Sequence, residues 1–292
     1  MKMSAKARVR ATLALLALCG VSTFGVSVGY AATAVSGVGT TSTFNQKKAS
    51  AAGTNATAVG DSATAKGNYS VAIGNAASAA GQNALAIGNS ATAAAQYSLA
   101  IGDSASVALW WYHYAIAIGK KSSVTNAYAM AIGNESAASG QHSVAIGGWS
   151  TAKGQNSTAL GNYSHANGYM STAIGEGTYA SGAQSLAIGT NNVNATDLGS
   201  VAIGNWAQSG AENGLALGYM SNVYRGKSAI AIGYNAWTYG ENSVALGAES
   251  NVSQEDNVIS IGHAANESTG VEEYKRRIIH VADGTTNTDA AT

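Results

Sequence analysis

Apolar residues along this chain come in short bursts that restart at a fixed interval, and each burst ends in an aliphatic residue followed by Gly. The closing glycines are Gly60, Gly74, Gly88, Gly102, Gly119, Gly133, Gly147, Gly161, Gly175, Gly189, Gly204, Gly218, Gly233, Gly247 and Gly262. Of the fourteen intervals, ten are 14 residues, three are 15 and one is 17. So regular a period predicts a solenoid of stacked coils rather than one domain around a deep core.

Counting from each glycine as zero, position 13 is Ile or Leu throughout. Position 11 is Val, Leu, Ile or Met except at Thr158 and Thr172, and position 12 is Ala in thirteen of fourteen coils. Apolar residues two apart predict a strand, and the run is too short for a helix. Small residues at positions 3 and 5, such as Ala63 and Ala65, predict a second short strand facing the first. Each coil is then two strands joined by turns, with Gly at position 0 and often at 7 permitting the reversals. Proline is absent, as expected where every strand shares its ladder with neighbours. Burying one aliphatic side chain is worth roughly 1.5 to 3 kcal/mol, so a coil needs its neighbours to hold its shape.

Alternation along the strand places the position-12 alanines opposite the Val/Ile rows. With the larger aliphatics taken as core, Ala72, Ala86, Ala100, Ala117, Ala131 and Ala145 are expected to point outward as a flat apolar strip. Solvent-facing strand positions are normally polar, so the strip is read as a contact with other copies of the same chain.

Composition adds a leader. Lys2, Lys6, Arg8 and Arg10 precede the apolar run ATLALLALCGVSTFGVSV, and small residues follow at Gly29, Ala31, Ala32 and Ala34. This order predicts a secretory signal peptide over residues 1–31, cleaved after Ala31 or, second, after Ala34. Beyond it lie all 15 acids but only 11 of the 15 bases, a net charge of about −4 with no basic stripe. Nucleic acid is therefore excluded as a partner. The single cysteine, Cys19, leaves with the leader, so stability must come without disulfides. Residues 32–54 read as a lead-in, 55–262 as the coil array and 263–292 as a C-terminal segment.

The stretches NYSVAIGNAAS, QNALAIGNSAT, QHSVAIGG and AENGLALG resemble the head repeat of the YadA-like trimeric autotransporter adhesins. The resemblance implies an all-β, left-handed parallel β-roll of 14-residue coils, homotrimeric about a common axis. RRIIHVADGTTNTDA, Arg276 to Ala290, resembles the neck of that family, with Arg277, Val281, Gly284, Thr288, Asp289 and Ala290 at the positions of its pattern. Such adhesins continue into a stalk and an outer-membrane barrel. The sequence ends at Thr292, which leaves open a piece of an anchored adhesin and a released head.

Catalysis finds little support. His113, His142, His165, His263 and His280 occupy unrelated repeat positions, and the acids are scattered singly on turns. No dense aspartate period suggests calcium, and no helix follows the Gly-Asn turns to hold a phosphate. No cofactor and no metal are expected. Binding is better supported. Between Val107 and Tyr114 the usual three-residue turn has grown to six, Ala108 to His113, placing Trp110, Trp111, Tyr112 and His113 outside the roll. These rings either cover a seam between subunits or coils, or form an adhesive tip, since Trp and Tyr dominate binding hot spots. On the outward positions 2 and 4, early Ser and Thr give way to Trp149, Tyr163, His165, Tyr179, Trp206, Met220 and Trp237. Stacked coils bring such residues to about 4.8 Å, as a stabilising ladder or as an aromatic wall for ligands. The reading is a non-catalytic adhesin head, exported to the bacterial surface, that binds host matrix protein, a cell-surface ligand or other bacterial cells. The alternative is a spacer or self-association module.

Overall fold

The computed structural model describes residues 42–44, 49–108, 114–264 and 272–279. They belong to two compact units, Met1–Ala152 and Lys153–Thr292, and among the described residues every regular element is a strand of two or three residues. In the first unit, three-residue strands such as Thr57–Val59, Val71–Ile73 and Leu85–Ile87 lie side by side in one parallel sheet. Two-residue strands such as Thr64–Ala65, Ser78–Ala79 and Thr92–Ala93 form a second. The second unit repeats the plan, from Thr158–Leu160 and His165–Ala166 onward. This is the solenoid of stacked coils that the period predicts, with the parallel strands that the family resemblance implies.

Register is kept residue for residue. Val71, Ala72 and Ile73 pair with Leu85, Ala86 and Ile87, and Thr64 and Ala65 with Ser78 and Ala79. The turns join the same ladder. Ala63 N–H bonds Gly60 O within one turn (3.3 Å) and Ser70 N–H bonds Gly67 O within the other (3.2 Å). The third residue of each turn has positive φ, 59° at both Ser62 and Tyr69, and its amide donates to the preceding coil: Tyr69 N to Thr54 O at 2.8 Å, Ala76 N to Asp61 O at 2.7 Å. At Gly74, φ is +131° and an added Cβ would lie 2.3 Å from Gly88 O. The glycine column is thus imposed twice, by conformation and by the closeness of the next coil.

The core corrects the sequence reading. The position-12 residues Ala72, Ala86, Ala100, Ala117, Ala131 and Ala145 are fully buried within their own chain. They point inward, not outward, and so cannot form a surface strip for other subunits. Facing them are Ala63, Ala65, Ala77 and Ala79 of positions 3 and 5, also fully buried. The flanking aliphatics of positions 11 and 13 point out, with Ile73 39%, Leu160 43%, Leu217 38% and Leu246 45% exposed. The reason is width. Four-residue turns hold the two sheets so close that little more than a methyl group fits between them, the largest fully buried hydrophobic side chains among the described residues being valines such as Val107 and Val124 at position 5 and Val193 in register with position 3. Both rows are apolar, so alternation alone could not assign the inner face. Position 10 carries buried serines: Ser70, Ser98 and Ser143 donate to Gly67 O, Ala95 O and Gly140 O at 2.6 Å each, whereas the hydroxyls of Ser157, Ser171 and Ser185 at the same position make no hydrogen bond among the described residues.

The C-terminal segment returns onto the last coil. His263 and Tyr274 form an antiparallel bridge, and the Arg276 guanidinium donates to Ser250 Oγ (2.8 Å), Ile261 O (2.6 Å) and Ala248 O (2.6 Å) while lying 4.6 Å from the Tyr274 ring centroid. Carbonyls left unpaired where the ladder ends are thereby satisfied.

The inward row gives a direct test. Ala100→Leu should lower unfolding free energy by about 1 to 3 kcal/mol through overpacking, read by denaturant melts. The adjacent Ile101→Leu should leave it nearly unchanged.

Candidate binding surface

The predicted aromatic residues fall on two separate lines. Trp149, Tyr163, Trp206 and Met220, at position 2, occupy the turn after the three-residue strand and all have positive φ (53°, 54°, 62° and 57°). Bulky side chains are rare in that region, but here it directs them into solvent, leaving Trp149 42% exposed. Trp149 Nε1 donates to Glu135 Oε2 of the preceding coil at 3.1 Å, and Glu135 also pairs with Lys121 at 3.5 Å. His165, Tyr179 and Trp237, at position 4, lie instead on the outer face of the second sheet. His165 stacks on Tyr179 with centroids 4.9 Å apart, and Trp237 meets Tyr239 edge to face at 5.7 Å. Burial, and then the charge of Lys153, hold the His165 imidazole below the ordinary histidine pKa.

A third line lies outside the sequence expectations. At position 9, the other positive-φ turn residue, Tyr97, Tyr114, Tyr128 and His142 stack face to face in consecutive coils, with centroids 5.0, 5.9 and 4.9 Å apart. The signal was present, since equal repeat position in a parallel ladder means contact. A fourth cluster joins Tyr224 and Tyr239, stacked at 4.4 Å at position 6. Burial and the neighbouring Tyr239 raise the Tyr224 hydroxyl pKa.

Trp110, Trp111, Tyr112 and His113 lie outside the described residues. The ladder on either side of them is continuous: Leu99 pairs with Ile116 and Ser106 with Ser123. The strands on either side thus keep the register of the neighbouring coils. Of the residues expected in the neck, Arg277 is exposed, and Arg276, which the pattern did not mark, makes the contacts to the last coil. Val281, Gly284, Thr288 and Asp289 lie outside the described residues. Among the described residues no group of three or more His, Cys, Asp or Glu could hold a metal ion, and no helix is long and apolar enough to cross a membrane.

The repeats match the family model of the YadA head domain repeat over residues 51–77, 79–105, 113–136, 138–164, 166–192, 195–220 and 225–250. The chain belongs to the YadA head-repeat family. Its structure is also similar to the collagen-binding domain of the Yersinia adhesin YadA, at 25% identity and a TM-score of 0.36, covering 68% of this chain and 94% of that one. No curated protein matches the sequence. Within this YadA-type head, each stretch of the family match takes up about two coils, in keeping with a two-copy repeat.

Two outcomes check the side-chain lines. Tyr114→Asn keeps a residue suited to positive φ but removes two stacked pairs, and should cost about 1 to 3 kcal/mol in a denaturant melt, from roughly 0.5 to 1.5 kcal/mol per pair. For His165, the folded pKa lies below the unfolded one, so the unfolded chain binds the proton first. Stability should fall as pH drops below 6.5 and level off once the folded form also protonates. His165→Gln should flatten that part of the stability profile in thermal melts taken at stepped pH.

Proposed function

We propose that this chain is the head of an exported, surface-exposed homotrimeric adhesin that binds without turnover. The observation that carries the reading is the aliphatic face, Val71 and Ile73, Leu85 and Ile87, Leu99 and Ile101, left part-exposed coil after coil in a member of an adhesin-head family. A continuous apolar face of this kind marks an interaction site in a secreted protein. Three such faces meeting about an axis would bury it, taking the place first assigned to the alanine row. The remaining turn columns and the second sheet's outer face would then point to solvent and carry the binding groups. Host matrix protein, a cell-surface ligand and other bacterial cells are the partner classes, reached with no cofactor. Residues 263–292 serve as the neck, with Arg276 anchoring it to the last coil.

Sedimentation equilibrium tests the assembly. The wild-type head should run as a trimer and Leu99→Lys as a folded monomer with the same circular dichroism; an unshifted mass for Leu99→Lys would remove the aliphatic face as the interface. Adhesion is tested separately with Trp110→Ala/Trp111→Ala on immobilised collagen, fibronectin and cells. The variant should remain trimeric and lose at least severalfold in attachment. Retained attachment would take the enlarged turn out of the site. A wild-type head that binds only other heads would favour the self-association module.

A further inference from the structure

The outer face of the second sheet changes character within the second unit. Its position-4 column runs Asn194, Gln208, Asn222, Trp237, with each pair in direct ladder register. Beside it, the position-6 column contains Gly210 and then the stacked Tyr224 and Tyr239. From Asn194 and Thr196 to Asn251 and Ser253 neither column carries a charged residue. A groove of about 310 Å³ opens there, lined by Asn194, Gln208, Gly210 and Tyr224 among others, at the lower end of the range for small-molecule sites.

Gly210 is what leaves the groove open, and the fold does not demand it. At Gly74, Gly226 or Gly240 an added Cβ would lie 2.3, 2.0 or 1.9 Å from a backbone oxygen of the next coil. At Gly210 the nearest atom would be Tyr224 O at 3.3 Å, and its φ is not positive. A side chain could be carried there with a shift of a few tenths of an ångström. The missing side chain is a property of the surface rather than a requirement of the roll.

We propose that this groove and the ladder positions next to it form a binding site for a neutral polysaccharide, with Asn194 and Gln208 in the groove and Asn222 beside Gln208 bonding sugar hydroxyls, and with Tyr224 at the groove wall continued by Tyr239 and its edge-to-face partner Trp237 as an aromatic platform. Sugar hydroxyls donate and accept, and carboxamides offer both functions on one planar group. Successive coils present these amides about one strand spacing, 4.8 Å, apart, close enough for neighbouring amides to engage one ring or two linked rings. Aromatic rings supply the apolar contact that a pyranose face needs. Neither column offers a charge to pair with an acidic glycan or a charged peptide. Asn194 is steadied by bonds from Nδ2 to Asn192 O (3.1 Å) and Oδ1 (3.2 Å), and Asn222 by Nδ2 to Met220 O (2.9 Å), leaving both carboxamide oxygens to accept from a ligand.

The proposal rests on the adhesin reading and names one ligand class for it. Its test is calorimetric titration of the full chain with cellotetraose and N-acetylchitotetraose, beside attachment to immobilised collagen. The wild type should bind at least one tetrasaccharide. Gly210→Tyr, which extends the existing tyrosine column into the groove, and Trp237→Ala should each weaken that binding tenfold or more, with unchanged circular dichroism and, for Gly210→Tyr, an unchanged melting midpoint. Absence of tetrasaccharide binding, or binding unaltered by Gly210→Tyr, overturns the glycan site. If collagen attachment persists in that case, the adhesin reading stands without it; if neither sugar, collagen nor cells are bound by the wild type, the adhesin reading itself fails.

Discussion

Each coil lies one strand spacing from the next, and this single closeness governs the rest. It puts every residue on top of its counterpart, so a repeat position is also a physical column. It draws the turn amides into the ladder, as Tyr69 N to Thr54 O shows. It also fixes glycine at Gly74, where no Cβ could pass the carbonyl of Gly88. Columns with no such restriction are free to vary, and the aromatic stacks have accumulated there.

Closeness between coils is matched by closeness between the two sheets. An interior of alanine and serine buries little hydrocarbon per residue, at about 0.8 kcal/mol for each methylene-sized group. Much of the cohesion must therefore come from backbone hydrogen bonds, together with the serine hydroxyls that tie turn carbonyls inside. The larger aliphatics, having no room within, are placed where only another surface can cover them. A thin core and an exposed aliphatic exterior are in this sense one property.

Much of this was legible in the sequence. The period, the stacking of coils, the two strands per coil and the turn positions follow from glycine and from residues two apart, and the parallel roll from the family resemblance. The inner face did not, because Ala72 and its neighbours Val71 and Ile73 are all apolar, and the deciding quantity, the width between sheets, has no residue signature. The aromatic wall was half visible: Trp149 and Trp237 are outward, but positive φ at the first and strand geometry at the second send them to different lines. The Tyr97 to His142 column has no mark in the sequence beyond a shared repeat position, which in a parallel ladder implies stacking. Arg276 was overshadowed by Arg277 because the pattern marks a neighbour, whereas the contacts depend on where unpaired carbonyls lie. Gly210 was invisible among so many required glycines until the space around each could be compared.

Thiol accessibility measures the central assignment of faces most directly. With Cys19 replaced by serine, Ala72→Cys and Ile73→Cys would be labelled in the native chain, first at dilution low enough to separate subunits and then at high concentration. Ala72→Cys should resist labelling under both conditions, while Ile73→Cys should react when dilute and become protected on association. Rapid labelling of Ala72→Cys beside a shielded Ile73→Cys in the separated subunit would contradict the account.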